Sequence, residues 1–119
     1  MKKLILSLFL FSTIVNAQSL VCFEIESNPN SSDAALSAFT KYVNVLDCFE
    51  IYAEASISDA KVLYAAAIAA ELLDNDEDGV VDDPLIAAQL STSHALMPLL
   101  ASEGSVGENT HLAIMKAKV

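Results

Sequence analysis

With 119 residues, 16 acidic against 6 basic side chains, a formal charge of −10 and no arginine, the chain has no electrostatic footprint for nucleic acid or for an anionic membrane surface. Its length provides for a single domain, and a hydrophobic content of 54% rules against disorder. Cations are the natural counterpart of such a surface.

Residues 1–17 read as a secretory signal peptide. Lys2 and Lys3 form the positive start, residues 4–15 an apolar run, and Val15-Asn16-Ala17 a small-residue end, with cleavage expected after Ala17. An apolar run of about twelve residues falls short of the roughly 20 that a spanning helix needs. Cys22 follows Ser19, Leu20 and Val21, which is not a lipoprotein signal. The mature domain is then 18–119, at a charge of about −12 once Lys2 and Lys3 are removed. It is expected to be secreted, periplasmic or on the cell surface, with no membrane association after cleavage. Export favours a disulfide between Cys22 and Cys48, worth about 3–4 kcal/mol in the chain-entropy model, over two buried thiols. Neither cysteine has a histidine or basic neighbour in sequence, which argues against a nucleophile.

In chain order, LVCFEI at 20–25 is an early strand and SNPNSS at 27–32 a breaker that contains an N-glycosylation pattern, Asn30-Ser31-Ser32. Ser32 caps a brief helix from Asp33 that carries Ala34, Leu36, Ala38 and Phe39. YVNVLDCFEIYA at 42–53 is a strand whose alternation falters at Asp47 and Cys48, where a bulge or turn fits. Ser58 caps the next helix, with Asp59 in its first turn. KVLYAAAIAAELL at 61–73 forms that helix, with Val62, Ala65, Ala69 and Leu72 at helical spacing. Because it is apolar nearly all round, it is expected to be a core helix buried on more than one side. Asp83 and Pro84 start a second helix of about two turns, and residues 91–93 break it. HALMPLLA at 94–101 is a short strand that Pro98 confines to an edge. Residues 102–110 are a flexible polar segment, and 111–119 an apolar element. The expected fold is a small α+β domain, with an alanine-rich helix and a helix-loop-helix packed on a short sheet.

Between the two helices lies LDNDEDGVVDDP at 73–84, six of whose twelve residues are acids. Asp74, Asp76 and Asp78 stand at alternate positions, Gly79 follows, and Asp82 comes three residues later. This order resembles the EF-hand calcium loop, D-x-[DN]-x-[DN]-G-x5-E, and looks similar to the loops of dockerins and thrombospondin type 3 repeats. The alternate carboxylates converge on one cation, and the glycine takes the positive φ that turns the backbone back. As the resemblance implies, the Val80 carbonyl and Asp82 would add ligands, Asp82 directly or through water, and Val81 would anchor the loop to the core. The twelfth position departs from the pattern: Leu85 stands where a bidentate glutamate is usual, after Pro84. Asp83, a more distant Glu71, Glu50 or Glu54, or water would complete the shell. Affinity on the order of 10⁻⁴ to 10⁻³ M is expected, that of an extracellular site. Tandem-loop families carry several copies, whereas this chain has one.

Other chemistry lacks its pattern. His94 and His111 are not in an HExxH or Cys/His arrangement, and no nucleophile elbow, P-loop or G-x-G-x-x-G occurs. With no Trp and three Tyr, a sugar groove for a carboxylate pair is not supported. Met97 and Met115 lie outside the loop's flanks, so a sensor that opens a Met-rich groove is disfavoured. The reading is structural Ca2+ binding, leaning away from an enzyme. Its alternatives are the amino-terminal piece of a larger secreted hydrolase and a calcium-dependent surface interaction module.

Overall fold

A computed structural model describes residues 23–117, and the side chains of 23–112. The signal segment, Cys22 with its expected bridge, and residues 20–22 of the early strand lie outside the described residues.

The elements are β1 (Glu26–Ser27), β2 (Lys41–Val45), β3 (Phe49–Ala53), α1 (Asp59–Leu73), α2 (Pro84–Ser93), β4 (Leu96–Leu99) and α3 (Val106–Ala117). The sheet has the order β1-β2-β3-β4. Its first two pairings are antiparallel, and β3 with β4 is parallel. A parallel pair needs a long crossover. Here the crossover is α1, the acidic loop and α2, so the loop is the turn between its two helices. The α+β expectation holds.

Alternation along β2 and β3 divides the core between the two faces of the sheet. Val43, Val45, Ile51 and Ala53 pack with Val62 and Ala66 of α1. Tyr42 and Tyr52 face the other way, with Leu36 and Phe39 from the segment before β2. Residues 42–53 are therefore a hairpin rather than one strand. Leu46 and Asp47 both take positive φ (51° and 57°), and the Cys48 N–H donates to the Val45 carbonyl at 3.2 Å. Positive φ at both central positions matches the twist of a tight hairpin. The turn falls where the alternation faltered, with neither Gly nor Asn to mark it. Cys48 is buried, and burial followed by the Asp47 charge pushes its thiol up from the ordinary value.

Three expectations shift. The early strand expected at 20–25 is displaced: Glu26–Ser27 pair with Lys41 and Tyr42, whereas Phe23 and Ile25 pack on the α1 side without pairing. The brief helix from Asp33 is a chain of turns. Single bonds from Asp33 N–H to Asn30, Leu36 to Asp33 and Phe39 to Leu36 recur every three residues without a continuous ladder. Buried Asn28 fixes them by donating from Nδ2 to the Leu36 and Phe39 carbonyls, each at 2.8 Å. The polar segment 102–110 contains the start of α3: Ser105 Oγ accepts from the Glu108 N–H, and Glu108 reaches back to the Gly104 N–H. This is the Ser-x-x-Glu pattern of a helix start.

α1 begins as expected, with Ser58 accepting from the Lys61 N–H. Only Val62 and Ala66 are fully buried, while Tyr64, Ile68 and Leu72 are exposed, Leu72 at 81%. Burial on more than one side is thus corrected: a four-stranded sheet offers α1 one surface, and α2 has no buried residue with which to cover another. α2 also runs on through Ser93 and ends where His94 adopts a left-handed conformation. β4 lies at the sheet edge, as Pro98 requires.

Candidate metal centre

Asp74 is the first residue past α1 and donates its N–H to the Ala70 carbonyl at 2.8 Å. The chain then reverses through two positive-φ residues, Glu77 (58°) and Gly79 (87°). The sequence expectation for Gly79 is met. The reversal points backbone N–H groups at the acids. Asp74 accepts from Gly79 at 2.7 Å and from Asp78 at 3.2 Å, Asp76 accepts from Asp78 at 3.4 Å, and Asp78 from Val80 at 2.8 Å. A carboxylate oxygen from each of Asp74, Asp76 and Asp78 lies within 4.8 Å of the others. Among the described residues no other trio of His, Cys, Asp or Glu converges in this way. Asp74 is buried, at 4% exposure, and the other two are open to solvent.

The remaining predicted positions do other work in the loop. Asp82 closes its base: its N–H donates to the Leu73 carbonyl at 2.9 Å, and its Oδ2 accepts from the Asn75 N–H at 2.9 Å. Asp83 caps α2 by accepting from the Leu85 N–H at 2.9 Å, and Pro84 occupies the first turn, where no N–H is needed. Val80 is exposed and Val81 half-buried. Of the more distant acids, Glu54 accepts from the Ala101 and Gly107 N–H groups at 2.6 and 2.7 Å. Glu50 receives the hydroxyls of Tyr42 and Tyr52, and Glu71 is exposed.

The acids are electrostatically unequal. Burial works to raise Asp74, but the Gly79 N–H and its neighbours outweigh it and hold the carboxyl below its ordinary value. Asp76 moves the other way, raised first by its hydrogen bond with Asp74, then by burial and the Asp78 charge. Close carboxylates share a proton because two like charges so near disfavour full ionisation. A cation at the convergence removes that conflict, and oxygen donors alone suit a hard ion. The cluster can hold a metal ion.

No family model matches the chain, and no curated protein or solved structure is similar to it. Function is therefore argued from the site itself. Sequence reasoning missed one grouping: His94 and His111, seventeen residues apart, line one cavity together with Glu50. No local spacing signals this, since the crossover and α3 bring them together. Among the described residues, no helix is long and apolar enough to cross a membrane.

Proposed function

We propose that this chain is an exported domain that binds calcium through Asp74, Asp76 and Asp78, with the Val80 carbonyl and Asp82 or water completing the shell, and that the ion serves as a structural clip. The observation that carries the reading is the convergence of three alternate carboxylates on a loop reversed at Gly79. With Asp83 engaged as a helix cap and Leu85 at the twelfth position, the shell is short of carboxylate and the affinity modest. The ion would join the end of α1 to the start of α2, and so set the geometry of the crossover that delivers β4 to the sheet. Calcium at about ten to a hundred times its dissociation constant is expected to stabilise the domain by about 1.4–2.7 kcal/mol. That corresponds to a rise in melting temperature of roughly 5–15 °C for a domain of this size. Scanning calorimetry of the mature chain with calcium or chelator tests it. The rise should vanish when Asp76 and Asp78 are both replaced by Ala, and an unchanged melting temperature in about 10 mM calcium would sink the reading. Export carries its own check, since mass spectrometry of the expressed product should find a chain that begins at Gln18.

A further inference from the structure

On the sheet face opposite α1 there is a cavity of about 660 Å³, lined among others by Asn30, Asp33, Glu50, Tyr52, His94 and His111. Small-molecule sites run from about 300 to 1,000 Å³. Four separate parts of the chain build this one: the turns before β2, the strand β3, the junction of α2 with β4, and α3. Leu36 and Leu96 supply apolar wall, and among the described residues no lysine or arginine lines it.

Its polar groups are held in place. Tyr42 Oη donates to one oxygen of Glu50 at 3.1 Å and Tyr52 Oη to the other at 3.4 Å, while Asn30 Nδ2 donates to Tyr52 Oη at 2.7 Å. Glu50 is thereby oriented in advance, which lowers the cost of binding. His111 packs edge-on to Phe39, and its Nδ1 is buried with no hydrogen-bond partner among the described residues.

We propose that this cavity binds a small organic cation, a primary ammonium on an apolar body, with Glu50 and Asp33 as its counter-charges. Among the described residues, an anion would meet two carboxylates and no lysine or arginine side chain. A metal ion is a poorer fit, because no three candidate ligand atoms in this lining converge within 4.8 Å and the space far exceeds one ion.

The test uses n-butylammonium as the probe, titrated into the mature chain in millimolar calcium, with calorimetry and the histidine ring signals in NMR as readouts. Saturable one-to-one binding that shifts the His111 ring is expected, with 1-butanol weaker by about ten-fold for want of the charge. Glu50→Gln and Asp33→Asn should each weaken binding several-fold, and Leu72→Ser, at an exposed position of α1 on the other side of the sheet, should leave it unchanged. Asp33→Asn keeps the Oδ1 that accepts from the Ala35 N–H, so the turn survives and the test stands even where Glu50→Gln fails to fold. Equal binding of 1-butanol, failure to saturate, an equal loss in Leu72→Ser, or displacement of the probe by zinc bound at the two histidines would each overturn the proposal.

Discussion

Gly107, in the first turn of α3, stands where a side chain has no room. A Cβ there would lie 2.7 Å from Glu54 Oε1 and 3.0 Å from a ring carbon of Phe39. Alanine is the better helix former by about 1 kcal/mol, yet overpacking against a fixed carboxylate costs about 1–3 kcal/mol. Gly107→Ala is therefore expected to lower stability by about 1 kcal/mol in urea denaturation, against the direction of helix propensity. The partner in that contact has a pH signature. The Ala101 N–H, followed by opposing burial and then the Gly107 N–H, leaves Glu54 below its ordinary carboxylate value. A lowered value in the folded state means stability present above the unfolded value and lost as pH falls through the folded one. Glu54→Gln should cost about 1–3 kcal/mol near neutral pH. Its denaturation midpoint should converge on that of the parent in acid.

At the scale of the element, α1 separates helix formation from burial. Its alanines and Ser58 cap favour a helix by local propensity, but only Val62 and Ala66 are fully covered. Ala66 sits at full burial against the sheet, so Ala66→Leu should overpack and destabilise by about 1–3 kcal/mol. Leu72, at 81% exposure, should tolerate Ser within about 0.5 kcal/mol. Equilibrium denaturation of the two variants side by side checks the assignment of faces; equal losses would mean that the outer face of α1 is covered. The exposed Leu72, Val80 and Leu85 lie on and beside the acidic loop, which therefore presents apolar surface along with charge.

At the scale of the whole molecule, the acidic loop matters through topology. β3 and β4 are parallel neighbours joined only through α1, the loop and α2, so whatever fixes the loop restricts where β4 can lie. The calcium reading thus extends beyond the loop: amide exchange in β4, such as at Met97 and Leu99, should slow when calcium is added, while the β1–β2 pairing changes little. Protection confined to residues 74–83 would show that the ion orders the loop alone.

What the amino-acid sequence determined was whatever depends on near neighbours. Ser58, Asp83 and Pro84 mark their helix starts because a cap needs only the next two or three N–H groups. Gly79 marks the loop reversal, and Pro98 the edge strand, for equally local reasons. The α3 start was legible in Ser105 and Glu108, but Gly107 obscured it, and its glycine is explained by Glu54, just past β3, and by Phe39, both distant in sequence. Tertiary structure alone decided the rest. Leu46 and Asp47 take left-handed conformations because the strands on either side pair, and Asn28 dissolves a local helix by bonding carbonyls eight and eleven residues away. The gathering of Glu50, His94 and His111 around one cavity likewise follows from the crossover and the packing of α3, contacts between residues too far apart in sequence to leave any spacing to read.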